Sequence, residues 1–286
     1  MIIAMNKLSI QKRAEILNLL VEGISMRAIT RISGVSLNTI TKLLIDAGRA
    51  CAEYQDGALR NLNCKRVQAD EIDSFVFAKS KNADQDMKDA GTAGDVWTWT
   101  AIDADSKLAV SWMVGRRDIA AAAVFIDDVA SRLAGRIQLS TDGHKPYLNA
   151  IAGAFGNDID YGRLVKIYNC VGDVVAAERM PTVGSPDVAH ISTSFVERQN
   201  LTMRMSIKRF ARATNAHSKK VENHSYAIAL HFMFYNFGRK HASLKMTPAM
   251  AAGISDHVWS IEEIAALVVT EAPKTRGPYQ PRKKSE

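Results

Sequence analysis

The sequence predicts an α/β protein in which a mixed sheet is flanked by helices and preceded by an all-α segment. Three observations carry this. Residues 66–143 run through three strand-like segments, a helical segment and a fourth strand-like one. Residues 9–47 show only helical periodicity, punctuated by Ser and Gly. Residues 192–212 then sort their side chains into distinct faces at about 100° per residue, as a helix lying on a core does. The expected organisation is a helical domain over 1–50, a linker over 51–64, an α/β domain over 65–252 interrupted by an insertion at about 157–191, and a C-terminal segment over 253–286 with a basic tail.

In the N-terminal part, Ser9 is placed to cap a helix running to Val21, Ser25 a second over 26–32, and Ser36 a third over 37–47. Gly23 and Gly34 stand where the chain must turn between them. This is the spacing of a helix-turn-helix, with Ile29, Val35, Ile40 and Leu43 inward. Asn38, Thr39, Thr41 and Lys42 are left on the outer face of the third helix, where base edges in a DNA major groove would be read. Residues 48–64 lack a regular apolar pattern and read as a linker.

Strands are expected over 66–78, 96–102 and 108–114. The latter two are joined by the turn cluster 103–107, and 79–95 forms a polar, flexible loop. A helix over 118–133 leads to a fourth strand ending at Asp142-Gly143, and Pro146 starts a short helix. The order is β-β-β-α-β. Trp97, Trp99 and Trp112 alternate on strands and belong to the core. Residues 157–191 read as irregular, with one strand candidate at 164–168. Helices follow over 192–212 and 218–238, and a tail at 274–284 reads as disordered on its own.

On the 192–212 helix, Val196, Met203, Ile207 and Phe210 form an apolar stripe. Glu197, Asn200, Arg204 and Lys208 line one edge, and Arg198, Arg209 and Arg212 fall on the outer face. A single carboxylate thus stands among cations suited to phosphate contact. Lys and Arg number 37 against 30 Asp and Glu, a net charge of +7 that favours a polyanionic partner. A composition that is 47% hydrophobic and 23% charged excludes a largely disordered chain, and no window approaches a membrane span. Three widely spaced cysteines, with no CxxC pair, point to free thiols, and a cytoplasmic protein is expected.

The first strand offers Asp70, Glu71 and Asp73, the fourth ends at Asp142, and the long helix brings Glu197. First and fourth strands of a β-β-β-α-β unit can be neighbours, so Asp70, Asp142 and Glu197 can converge as the oxygen cluster that hard divalent cations need. Glu71 and Asp73, one residue off the strand period, point the other way, and His144 reads as structural or DNA-contacting rather than as a base.

Three stretches, Gln68-Ala-Asp-Glu-Ile-Asp-Ser-Phe-Val76, Ser140-Thr-Asp-Gly-His-Lys-Pro-Tyr147 and Ser194-Phe-Val-Glu-Arg-Gln-Asn-Leu-Thr-Met-Arg204, resemble in order the acidic motifs of bacterial insertion-sequence transposases with a ribonuclease H-like, integrase-type core, closest to the "IS one" type. The resemblance covers about 66–250 and includes His231–Phe237 and Thr247-Pro-Ala. It implies Asp70, Asp142 and Glu197 as catalytic metal ligands for two Mg²⁺ ions, with Mn²⁺ as substitute. It also implies double-stranded DNA partners, namely the element's terminal inverted repeats and target DNA, and a homo-oligomer acting on them in the bacterial nucleoid. Asn200 and Arg204 would orient the DNA end or the Glu. Two departures stand out: Asp142 and Glu197 lie 55 positions apart (197 − 142), longer than usual in the family, and a paired-cysteine module of some relatives is absent. The rival readings are a non-catalytic DNA-binding regulator and a nuclease of the same fold.

Overall fold

The computed structural model describes residues 8–211 and 215–268; Arg212 and the basic tail at 274–284 lie outside the described residues. Helices α1 (Ile10–Val21), α2 (Met26–Ser33) and α3 (Leu37–Ala58) open the chain. Their caps are the three serines: Ser9 accepts from the Lys12 N–H, Ser25 from Ala28 and Ser36 from Thr39. Gly34, at φ 71°, closes α2 in the left-handed region that a side chain would strain.

The expected linker is a correction. Residues 51–58 continue α3, and Cys51 and Gln55 are buried. Gln55 donates to the Ala229 carbonyl at 3.1 Å, and a Cβ on Gly48 would stand 2.4 Å from Tyr226. Small residues here do not mean a solvated tether; they let α3 approach α8 (Val221–Met233) closely. The N-terminal helices accordingly share their apolar cluster with α8 and α10 (Ile261–Ala266), through Leu17, Leu44, Leu230, Met233 and Ile264.

Six strands form one mixed sheet, in the order β3-β2-β1-β4-β5-β6. They are β1 (Arg66–Val76), β2 (Gly94–Asp103), β3 (Ala109–Gly115), β4 (Gln138–Asp142), β5 (Asp160–Tyr168) and β6 (Val174–Val183). The meander β1-β2-β3 is antiparallel, β1-β4-β5 is parallel, and β6 returns antiparallel on β5. The expected flexible loop at 79–95 contains the short helix α4 (Gln85–Asp89). The expected irregular insertion is likewise corrected: β5 and β6 extend the sheet as a hairpin.

Helices cover both faces. On one, α5 (Ile119–Arg132) and α6 (Pro146–Phe155) enclose Val67, Ala69, Trp99, Phe125 and Leu139. On the other, α7 (Ser194–Ser206) and α8 enclose Ile72, Ile102, Met203, Ile207, Phe210 and Phe232. Trp99 is fully buried, Trp112 stacks on Phe232, and Trp97 is half-buried under the Arg117 guanidinium. Helix α7 is shorter than the 192–212 expected. Ile207 adopts an extended backbone at φ −110° and ψ 106°, which ends the helix before Lys208. After α8 come a single π turn, Phe234–Gly238, and α9 (Pro248–Ala251), capped by Thr247. Among the described residues no helix is long and apolar enough to cross a membrane.

Candidate active site

Strand period and register bring the acidic residues together. Parallel pairing sets Gln68 of β1 beside Ser140 of β4, and continuing that register makes Asp70 level with Asp142, both on the face toward α7. The start of α7 is fixed against this face by Gln68. Its Oε1 accepts from the Phe195 N–H at 2.8 Å and the Val196 N–H at 3.3 Å, capping the helix where Thr193 does not. One turn into α7 stands Glu197.

Asp70 is largely buried, and its carboxylate Oδ2 accepts from Asn200 Nδ2 at 2.9 Å. No cation pairs with it among the described residues. Burial first, then the negative fields of Glu71, Asp142 and Glu197, push its pKa up from 3.8 to about 7, partly offset by a backbone hydrogen bond. Asp142 Oδ1 accepts from the His144 N–H at 2.9 Å, which orients it at the end of β4. Glu197 Oε1 accepts from Lys166 Nζ and from Thr193 Oγ1, each at 2.7 Å.

The neighbouring carboxylate faces the other way, as the strand period predicts. Glu71 is buried against α6, accepting from Arg117 Nε at 2.6 Å and from the Tyr147 hydroxyl at 2.9 Å. His144 packs edge-on against Tyr147 and tilted on Trp99, and burial lowers its pKa. The ring therefore belongs to this enclosed side. Asp73 pairs with Arg204 at 2.6 Å.

The residues suit a hard divalent cation. Asp70 is a buried carboxylate with which no cation pairs among the described residues, and the Oδ1 of Asn200 is a buried oxygen without a hydrogen-bond partner there. As the side chains stand, no group of three or more His, Cys, Asp or Glu is arranged to hold a metal ion among the described residues. Glu197 is engaged by Lys166 instead.

The side chains of this region expected to meet DNA divide into three kinds. Arg198 and Lys208 are exposed. Asn200 and Arg204 are already held by Asp70 and Asp73. Arg209 is a correction: past the break at Ile207 it turns inward rather than outward. There it donates to Ser218 Oγ at 2.6 Å and to Met26 Sδ, and burial lowers its pKa to about 10. Near the N-terminus, Asn38, Thr39 and Lys42 are exposed and Thr41 half-buried. Lys42 pairs with Asp46, and the Thr41 hydroxyl donates to the Leu37 carbonyl.

Sequence reasoning missed Gln68, Thr193 and Lys166. The first lies two residues before Asp70 on the same face and was legible by strand period; Lys166 lies on the strand candidate 164–168, the last part of β5, but its place beside Asp142 depends on a strand pairing that the sequence does not show. No family model matches the chain, and among curated proteins none is similar to it.

Proposed function

We propose that the chain is a DNA transposase, which binds the ends of an insertion element and cuts and joins phosphodiester bonds. The observation that supports this best is one sheet face on which buried, uncompensated Asp70 lies level with Asp142, opposite Glu197 on α7. The strand order, antiparallel at β3-β2-β1 and parallel at β1-β4-β5, is compatible with a ribonuclease H-like fold. Asp70, Asp142 and Glu197 are the residues that would hold Mg²⁺, or Mn²⁺ in its place. When bound, the ions supply charge stabilisation for the attacking and leaving oxygens at phosphorus.

The chain's own groups do the positioning. Asn200 fixes the Asp70 carboxylate, the His144 N–H fixes Asp142, and Gln68 anchors the helix that carries Glu197. Arg198 and Lys208 meet backbone phosphates beside the site, which places the duplex without reading its sequence. Reading falls to Asn38, Thr39, Thr41 and Lys42 at the start of α3, in helix-turn-helix fashion. The protein works on DNA in the bacterial cytoplasm as a homo-oligomer, because two ends must be processed together.

The test is an assay with labelled element ends, with and without Mg²⁺. Wild type should nick and join the ends only with the metal. Asp142→Asn should bind DNA normally and cut nothing, since the amide keeps the volume and loses the charge. Undiminished cutting by that variant sinks the assignment. One observation favours a second reading, a DNA-binding regulator that no longer cuts: Glu197 is paired to Lys166. Metal-independent binding with no cutting by wild type would establish that reading instead.

A further inference from the structure

We infer that Lys166 is a built-in counter-cation of this site, holding Glu197 while no divalent ion is present and released when one enters. The inference rests on the metal-site reading above and adds a residue from β5, in a segment with no role in that reading. Parallel pairing sets Leu164 beside Asp142, so Lys166, two residues on, shares the face of Asp142. Its ammonium lies 2.7 Å from Glu197 Oε1, the same oxygen that accepts from Thr193.

Of the three carboxylates, Glu197 alone carries a cation among the described residues. Asp70 has the neutral Asn200 amide and a backbone hydrogen bond from Glu71, and Asp142 a backbone N–H. Arg204, one helical turn past Asn200, is engaged by Asp73. Without Lys166 three carboxylates would face one another with no positive charge among them, and Glu197, whose side chain is 41% exposed, would turn to solvent.

An ammonium and a divalent ion cannot share this carboxylate without strong repulsion, so they compete for it. The competition is easily won, because both side chains are about a third or more exposed, at 33% and 41%. A lysine suits such a role. Its charge sits on a flexible stem with rotatable donors, whereas an arginine fork would lock the carboxylate in a two-point grip. The released ammonium remains on the open side of the sheet, where a phosphate of the DNA strand would replace Glu197 as its partner.

Mn²⁺ binding to the full chain without DNA, followed by electron paramagnetic resonance, tests this apart from activity. Replacing Lys166 by Met removes the competitor, and Mn²⁺ affinity should rise about five- to tenfold. Lys166→Arg should show no such gain. Unchanged or weaker binding by Lys166→Met overturns the inference. Asp142→Asn serves as the separate control: if it binds Mn²⁺ as wild type does, or if wild type shows no saturable binding, the metal site itself fails and the inference with it. A second measurement uses the unaltered chain. Acetylation of Lys166, mapped by mass spectrometry, should accelerate when Mn²⁺ is added, and an unchanged rate overturns the proposal even if the variants fold poorly.

Discussion

Asp70 and Glu71 are consecutive on β1, yet among the described residues the first has no cation paired with it and the second is fully paired. Glu71 has a guanidinium and a phenol within 2.9 Å, inside an aromatic shell of Trp99, His144 and Tyr147. Asp70 has a neutral amide and three other carboxylates in its field. The strand is common to both, so the difference lies in what the flanking helices bring. Helix α6 and the segment before α5 supply partners that satisfy a charge; α7 supplies another acid. A buried carboxylate left in that condition is a receptor for positive charge, whereas a paired one is part of the scaffold.

The largest effect should come from breaking the paired side. Glu71→Ala leaves the Arg117 guanidinium without its counter-ion and the fully buried Tyr147 hydroxyl without an acceptor. The expected loss is about 1–3 kcal/mol of stability, the cost of leaving the buried hydroxyl unsatisfied, since the guanidinium, 37% exposed, stays solvated. Urea unfolding measures it. A loss below about 1 kcal/mol would mean that the enclosed side is held by its aromatic packing alone.

Asp70→Asn should act in the opposite direction. The folded-state pKa is raised, from 3.8 to about 7, so the stability linked to the bound proton is fully present below about pH 4 and lost as pH rises through about 7. In buffer free of divalent cations, the Asn variant, which has no charge to bury, should be more stable than wild type at pH 8 by on the order of 2 kcal/mol. The two should converge near pH 4. Parallel urea curves at the two pH values decide it; a gap that stays constant would show that the carboxylate is not desolvated.

Much of this contrast is legible in the sequence. The strand period alone separates Asp70 from Glu71, and the Ser caps with Gly turns mark α1, α2 and the start of α3 to the residue or nearly so, though α3 runs on to Ala58. Other parts are hidden for physical reasons. Only the last part of β5, 164–168, shows a strand signal; β6 is hidden because the distal part of the hairpin, with Ile167, Val174 and Val175, is exposed and has no buried face to pattern. Helical periodicity carries on through Arg209, but tertiary packing of Ile207 and Phe210 into the sheet face breaks the helix first. Residues 48–58 look like a tether because close helix packing favours Gly, Ala and Cys over large apolar residues.

A smaller effect tests whether DNA reading is separate from both carboxylates. Asn38→Ala combined with Thr41→Ala should reduce preference for element ends over random DNA by roughly 1–3 kcal/mol per lost base contact and leave non-specific binding unchanged. Competition binding with the two DNAs measures it. Unchanged discrimination would move recognition away from α3.

The smallest energetic change, and the sharpest comparison of the two sheet faces, concerns their cations. On the Glu71 face Arg117 and Arg132 are committed to carboxylates, Arg132 pairing with both Asp56 and Asp128. On α7 and the turn after it, Arg198 and Lys208 are exposed and make no ion pair among the described residues. Only the second set is available for phosphates. If each neutralises one, Arg198→Ala with Lys208→Ala should lower the slope of log binding constant against log salt by roughly 1.8, at about 0.9 per contact on duplex DNA. Arg209→Ala should leave that slope unchanged while costing stability, because its guanidinium is spent on Ser218 and Met26 inside the protein. Binding titrations over a salt series measure both. A wild-type slope in the double variant would take α7 and the turn after it out of the DNA interface, while leaving Asp70, Asp142 and Glu197 as candidate ligands. A reduced slope in the Arg209 variant would mean that this arginine swings outward when DNA arrives.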